Sequence, residues 1–182
     1  VTAAGQPVGR IEDESGNGND GAQPITAARL TYEESPSRLT LDKVDDAITI
    51  KVPAGGWTGS MVLATDQGTA SYGVSIPEGT YTLGGQYYPG NSINGLVIRD
   101  GAVSASDLSK VEARFAQNGA KAGYGDVTSF NNYWRDMGEL TSFPLIDTSN
   151  GIEFKYAWYN CSSLTSFPLI DTSSGTMFYA TW

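Results

Sequence analysis

The final third of the chain copies itself: the ten residues Leu-Thr-Ser-Phe-Pro-Leu-Ile-Asp-Thr-Ser at 140–149 return letter for letter at 164–173, a shift of 24. The same shift carries Phe130 to Phe154 to Phe178, and Trp134 to Trp158 to Trp182. A period of this size marks a unit that cannot bury an apolar face alone and must stack on its neighbours. Residues 127–182 are therefore expected to form a solenoid of 24-residue units, incomplete at its C-terminal end, with the three Phe and three Trp residues as its spine. Leu140/Leu164, Phe143/Phe167 and Ile146/Ile170 supply one buried face. Each unit is expected to hold a short strand, an Asp-Thr-Ser turn and a single helical or 3₁₀ turn. Stacking then places Asp147 over Asp171 and Thr148 over Thr172, a ladder better explained by side-chain capping of the turn than by ligand binding.

The residues before the repeat follow a different pattern. Apolar residues make up 40% of the 182 and charged residues only 17%, with 22 glycines, which favours strands and turns over long surface helices. Strand signals fall at 38–41, 47–52, 60–65, 70–76 and 79–83, with a sixth at 96–101. Alternation is clearest at Ile48, Ile50, Val52 and at Tyr72, Val74, Ile76, the mark of a half-buried sheet. Five strands in under fifty residues predict a sandwich. One helix follows, capped by Ser104 or Ser106, with Leu108, Val111 and Phe115 on one face and Asn118-Gly119 at its end. The expected division is a β-sandwich over 1–120, a joint at 121–126 and the repeat from 127.

Charge and residue usage narrow the function classes. A net charge of −9 and the lack of a Lys/Arg cluster argue against nucleic acid or an anionic membrane as partner. No run approaches the roughly 18 apolar residues of a membrane span. Histidine is absent, which removes the commonest general base, and Ser15 and Ser60 lie in no Gly-x-Ser-x-Gly elbow, so a non-enzymatic role is expected. The single Cys161 has no internal disulfide partner. Val1 is neither a methionine nor part of a signal peptide, and Trp182 closes a repeat aromatic pair, so both ends read as cut from something longer.

Three segments of the first part resemble a known module when taken together: residues 1–11, the Asp13-Glu-Ser-Gly-Asn-Gly-Asn19 loop with Ala27-Ala28-Arg29, and Leu41-Asp42-Lys43-Val44-Asp45-Asp46. They are similar to the concanavalin-like, laminin-G-like jelly roll of tailed-bacteriophage structural proteins. Residues 103–108 resemble its C-terminal helix cap, while Lys43 stands where the module's turn has Gly and Arg29-Leu30 where it has Arg-Pro. The tail resembles BspA-like leucine-rich repeats, with their Cys-x-x-Leu-x-x-Phe-Pro-x-Ile-Asp-Thr-Ser text. The pairing implies a virion surface or tail-fibre protein, extracellular, assembled with other virion proteins as a homo-oligomer, and attaching to a host-surface glycan or protein receptor. A bacterial surface adhesin, or a carbohydrate-binding module of a larger enzyme, are the alternatives.

Candidate sites are few. Asp13, Ser15, Asn17 and Asn19 alternate, with Gly18 at the sixth position, as in the first half of an oxygen-ligand Ca²⁺ loop. Position twelve is Pro24, so a bidentate acid is missing; the resemblance implies Asp45 or Asp46 as the completing ligand. A self-bonded turn is the competing and favoured reading. Glu12, Asp13, Glu14 and Asp42, Asp45, Asp46 also invite a paired-carboxylate reading, which the absent nucleophile motif disfavours. Trp57, Tyr72, Tyr81, Tyr87 and Tyr88 are candidates for stacking on a sugar, with Tyr87-Tyr88-Pro89-Gly90-Asn91 the best loop, against core packing as the alternative.

Overall fold

The computed structural model describes residues 3–85 and 88–182. Tyr87, one of the expected ligand residues, lies outside the described residues. The chain is mainly β, with two antiparallel sheets and one helix, consistent with the expected sandwich. In chain order the elements are β1 (Arg10–Ile11), β2 (Gly21–Ala22), β3 (Thr31–Glu34), β4 (Ser37–Thr40), β5 (Ala47–Val52), β6 (Trp57–Thr65), β7 (Thr69–Ile76), β8 (Gly79–Gly84), β9 (Ser92–Asp100), α1 (Ala105–Ala116) and β10 (Leu140–Ser142). One sheet has the order β1-β2-β5-β8 and the other β10-β7-β6-β9-β4-β3.

The register explains the burial. Met61 and Leu63 of β6 sit opposite Tyr72 and Ala70 of β7, and with Val74 and Ile76 they form one wall of the core. Ile48, Val52 and Leu83 of the smaller sheet belong to the same cluster. Every residue from Ser60 to Thr65 is buried, so β6 is covered on both faces. Helix α1 supplies the second cover: Gly95, paired with Ala64, has the Phe115 ring where a side chain would begin. Ser104 caps the helix, its hydroxyl accepting from the Asp107 N–H at 3.1 Å, and Gly119 takes φ +78° just beyond its end. No described helix is long and apolar enough to cross a membrane.

The repeat does not make a leucine-rich-repeat-like solenoid. Its described residues hold no α- or 3₁₀-helix, only isolated i to i+3 turns such as the Tyr133 N–H on the Phe130 carbonyl and the Ala157 N–H on the Phe154 carbonyl, and its one strand, β10, pairs antiparallel with β7 of the sandwich. The reason is backbone geometry in register: Asn132, Tyr156 and Ala180 have φ of 61°, 53° and 46°, and Asp136 and Asn160 have 63° and 60°. Left-handed residues four apart end any helix or strand that begins between them. What remains is an irregular coil that stacks on its own copy. The N–H groups of Phe130, Asn132, Trp134 and Asp136 donate to the carbonyls of Glu153, Lys155, Ala157 and Tyr159. Those of Phe154, Tyr156 and Trp158 donate in turn to Met177, Tyr179 and Thr181. Parallel bridges join Ser129 to Glu153, Glu153 to Met177 and Ser142 to Ser166.

Three ring ladders run through this stack. Phe130, Phe154 and Phe178 are 5.2 and 5.3 Å apart and nearly coplanar in orientation, at 12° and 1°. Trp134, Trp158 and Trp182 follow at 5.4 and 5.1 Å. Phe143 and Phe167 stack at 5.0 Å and set their edges into the Trp ladder. The Phe-x-x-x-Trp spine expected from the sequence is thus present as offset-stacked and edge-to-face rings, the arrangements that the ring quadrupole favours.

The first unit is built into the sandwich. Leu140 pairs with Val74 at the β7 edge, and the Trp134 Nε1–H donates to the Tyr72 hydroxyl at 2.9 Å. Tyr124, in the expected joint, is fully buried, and its hydroxyl lies 3.1 Å from that of Tyr72. One contiguous core therefore runs from Leu30 and Ile48 through Tyr72 and Tyr124 to Trp158.

Candidate functional site

A polar cleft of about 250 Å³ opens where the sandwich meets the first repeat unit. Two expected ligand residues, Tyr88 and Asn91, reach it from one side with Lys43 and Gln67; Asn131, Asn132 and Tyr133 face them from the other. Lys43 adopts φ 64°, the left-handed conformation for which the resembling turn uses Gly. Its ammonium donates to the Tyr88 carbonyl and, at 2.9 Å, to the Gly90 carbonyl, pinning the loop. Asp66 holds the loop's other side, accepting from the Asn91 N–H at 2.7 Å and from the Asn91 and Gln67 side-chain amides at 3.2 and 3.3 Å. On the repeat side, the Asn131 amide donates to Glu153 at 2.6 Å and its carbonyl accepts from the Lys155 N–H at 2.8 Å.

The electrostatics follow from partial burial. Burial lowers the Lys43 ammonium, against the pull of Asp66. Burial would raise Asp66, but the bonds from Asn91, Gln67 and the Ser92 N–H outweigh it and hold the carboxyl below its usual range. Tyr133 is pushed up to about 12 by burial and by the Asp66 charge, and so stays a neutral phenol. Such a site offers amides, the Tyr133 phenol and one ammonium, groups suited to hydrogen bonding a small hydroxyl-rich ligand. Next to it the Tyr88 hydroxyl is buried without a hydrogen-bond partner among the described residues, and burial, aided by Tyr72 and Asp66, raises it well above the usual phenol range.

Trp57 is elsewhere. It starts β6, whose other end adjoins Asp66, and eight strand residues at about 3.3 Å each separate the two ends by roughly 26 Å. Tyr72 is a core side chain, and Tyr81 packs partly buried against the core, donating to Glu139 at 2.6 Å.

The 13–20 loop is closed on itself. The Asp13 carboxylate accepts from the Ser15 N–H and hydroxyl, both at 2.8 Å, and from the Asn19 N–H at 3.1 Å. Asn17 donates to the Ser15 hydroxyl at 3.0 Å. These bonds lower the Asp13 carboxyl and fold the loop back on itself. Among the described residues, the carboxylate group that gathers within 4.8 Å is Asp42, Asp45 and Asp46, without Asp13. Asp46 is buried and accepts from the Asp42 N–H at 2.9 Å; burial raises it, against that bond and with the Asp42 and Asp45 charges. The structure thus separates the expected Ca²⁺ ligands into a self-bonded turn and an acidic turn, and Asp42 joins the second.

Asp147 and Asp171 cap their own turns through the Ser149 and Ser173 N–H groups at 3.0 and 2.9 Å. Cys161 is packed under the stack with its thiol 3.0 Å from the Trp134 carbonyl, and burial pushes it up to about 12. A second, more apolar groove of about 350 Å³ lies at the far end, between Trp158, Phe167, Trp182 and the polar Asn160, Ser162 and Thr165.

Sequence reasoning missed Lys43, Gln67, Asn131, Asn132 and Tyr133. A signal was there: between the fixed Phe and Trp the triplet changes in each unit, Asn-Asn-Tyr, then Lys-Tyr-Ala, then Tyr-Ala-Thr. The first two positions of the triplet vary inside a constant frame and are not buried, whereas the third is buried at Ala157 and Thr181. No family model, curated protein or solved structure matches the chain.

Proposed function

We propose that this chain is a non-enzymatic attachment protein that engages a hydroxyl-rich surface ligand, a glycan, through the cleft between sandwich and stack. The observation that carries the reading is the meeting in that cleft of Asn91, Asn131 and Tyr133, two amides and a phenol, beside a loop that Lys43 and Asp66 hold in place. Two resemblances support a place on a virion surface or tail fibre: the jelly-roll text of residues 1–120 and the leucine-rich-type text of the tail. Display in many copies on a particle would let a shallow, weak site act with useful avidity. The stack, rooted in the sandwich core, presents the Asn131–Tyr133 wall on a rigid frame.

The test is a glycan-array and host-cell binding assay on the intact chain, with and without a Ca²⁺ chelator, alongside the Asn91→Ala and Tyr133→Ala variants. Binding that both variants weaken about tenfold or more supports the cleft. Binding unchanged in both, or no binding to any glycan or host cell, overturns it. Loss of binding on chelation alone would shift the site to the Asp42, Asp45, Asp46 turn.

A further inference from the structure

We infer that Asn17 is a site of spontaneous covalent modification: its side-chain amide cyclises onto the Gly18 nitrogen and hydrolyses to an aspartyl or isoaspartyl residue. The chain has four Asn-Gly pairs, at 17–18, 94–95, 118–119 and 150–151. Glycine after asparagine leaves the following nitrogen unshielded, so by sequence all four are candidates. The structure holds three of them shut. Asn94 is buried in β9, its side-chain oxygen accepting from the Ser92 hydroxyl at 2.7 Å and its amide donating to the Asn118 carbonyl, with the Phe115 ring against Gly95. The Asn118 amide donates to the Asn94 carbonyl at 3.2 Å, and the Gly119 N–H donates to the Ala116 carbonyl at 3.0 Å. The Asn150 amide donates to the Gly125 carbonyl at 2.7 Å, and the buried Gly151 gives its N–H to the Thr148 carbonyl at 2.8 Å.

Asn17-Gly18 differs in each respect. Both residues are exposed, in the loop that joins β1 to β2. Among the described residues the Gly18 N–H has no acceptor, and open space surrounds the place where a side chain at Gly18 would begin. The Asn17 amide has one bond, to the hydroxyl of the exposed Ser15 at 3.0 Å. Hydroxide takes the Gly18 N–H proton and the nitrogen forms a bond to the Asn17 Cγ. The Cγ–Nδ2 bond then breaks, and ammonia leaves with a proton returned from water. A second water opens the resulting imide ring at either carbonyl. One opening gives aspartate; the other routes the main chain through the side chain and adds a methylene to the loop. Either product puts one more negative charge in a loop that already holds Asp13 and Asp20, and removes the donor that Ser15 receives from Nδ2.

The experiment incubates the intact chain at mildly alkaline and mildly acid pH, folded and in urea. Peptide mass spectrometry follows each Asn-Gly pair, and isoaspartyl methyltransferase labelling separates the two products. In the folded chain Asn17 should convert about tenfold or more faster than Asn94, Asn118 or Asn150, since each of those must first break hydrogen bonds by local opening. In urea the four rates should converge. The rate at Asn17 should rise with pH, as attack by a deprotonated nitrogen requires. Asn17→Gln, whose longer side chain closes a ring far more slowly, should remove the product from that loop and leave the other three pairs as they were. Equal rates at the four pairs in the folded chain overturn the inference. So does a lead of Asn17 that persists undiminished in urea, because the selectivity would then lie in the neighbouring sequence and not in the fold. The inference does not rest on the cleft, whose residues take no part in it.

Discussion

Trp134→Ala should cost far more stability than Trp182→Ala, although the two residues occupy the same place in their units. Trp134 is fully buried and Trp182 is 65% exposed. Removing a fully buried aromatic ring costs about 3–5 kcal/mol through lost transfer energy and the cavity left behind. Trp134 adds a bond, since its indole N–H reaches the Tyr72 hydroxyl at 2.9 Å. That hydroxyl keeps its contact with Tyr124, so the extra cost falls at the low end of the roughly 1–3 kcal/mol for an orphaned buried polar group. A loss of about 4–6 kcal/mol is comparable to the whole stability of many domains. Trp182 buries about a third of a ring worth roughly 150–250 Å², which at about 25 cal/mol per Å² gives about 1–2 kcal/mol. Trp158→Ala, with 3% exposure and rings on both sides, should resemble Trp134→Ala.

Urea unfolding should be followed by far-UV circular dichroism, because each mutation removes a different one of the four Trp fluorophores. A contiguous core from Ile48 through Tyr72 to Trp158 implies that Trp134→Ala lowers the midpoint of the whole transition, sandwich strands included. Trp134→Phe, which keeps a ring but not the N–H, should recover more than half the loss. A separate early step that leaves the main transition in place would refute the shared core. Equal costs at Trp134 and Trp182 would refute the burial argument.

Four further outcomes can be checked. Burial, against the bonds from Tyr124 and Trp134, raises Tyr72 to about 12, above the roughly 10 of an unfolded phenol. Its contribution is therefore complete below about pH 10 and falls by up to about 1.4 kcal/mol per pH unit as pH rises toward 12; alkaline titration should show phenolate absorbance from Tyr72 appearing with unfolding rather than before it. Asp46 is raised mainly by burial, so its charge opposes folding at neutral pH, and Asp46→Asn should melt at or above the wild-type temperature in chelator; if Ca²⁺ binds that turn, added Ca²⁺ should raise the wild type and not the variant. At Asn132, φ 61°, substitution by Ala should cost about 1–2 kcal/mol and by Gly clearly less, measured by thermal unfolding. Residues 127–182 expressed alone should lack a near-UV dichroism signal, since they lose the β7 edge and both capping tyrosines.

Much of the sandwich was legible because its strands alternate. The segment 47–52 was predicted to the residue, and the Ser104 cap with the Gly119 end bounded the helix. The two-residue strands β1 and β2 were missed because so few residues carry no period and the pairing of β2 is decided by the distant Ile50; β3, which forms a hairpin with β4, was missed as well. The repeat told its stacking distance and its spine, but not its backbone. Its text resembles a repeat that includes regular structure, whereas Asn132 and Asp136, and their counterparts Tyr156 and Asn160, turn left-handed; Tyr156 and Ala180 gave no compositional warning of it. The cleft was half legible: Tyr88 and Asn91 sit in a loop that announces itself, while Asn131 and Tyr133 arrive from a segment forty residues later through the pairing of Leu140 with β7.

The sandwich and the stack depend on each other for a physical reason. A coil whose left-handed residues forbid helix and strand satisfies only some of its N–H groups locally, as Tyr133 does on Phe130 and Ala157 on Phe154, so the groups between them need a neighbouring row. The second row serves the first, and the third serves the second. On the other side of the first row stand Tyr124 and Tyr72, the first closing the ring ladders and the second accepting the indole proton of Trp134. In return Leu140 and Phe143 cover the β7 edge and the Tyr72 ring, surfaces that a bare sheet would leave open to pairing with another chain. The sandwich therefore acts as the terminal cap that repeat arrays require, and the stack acts as the edge cover that sheets require. Since the cleft is formed by residues from both, a ligand bound there would gain its geometry from the same contacts that hold the two together.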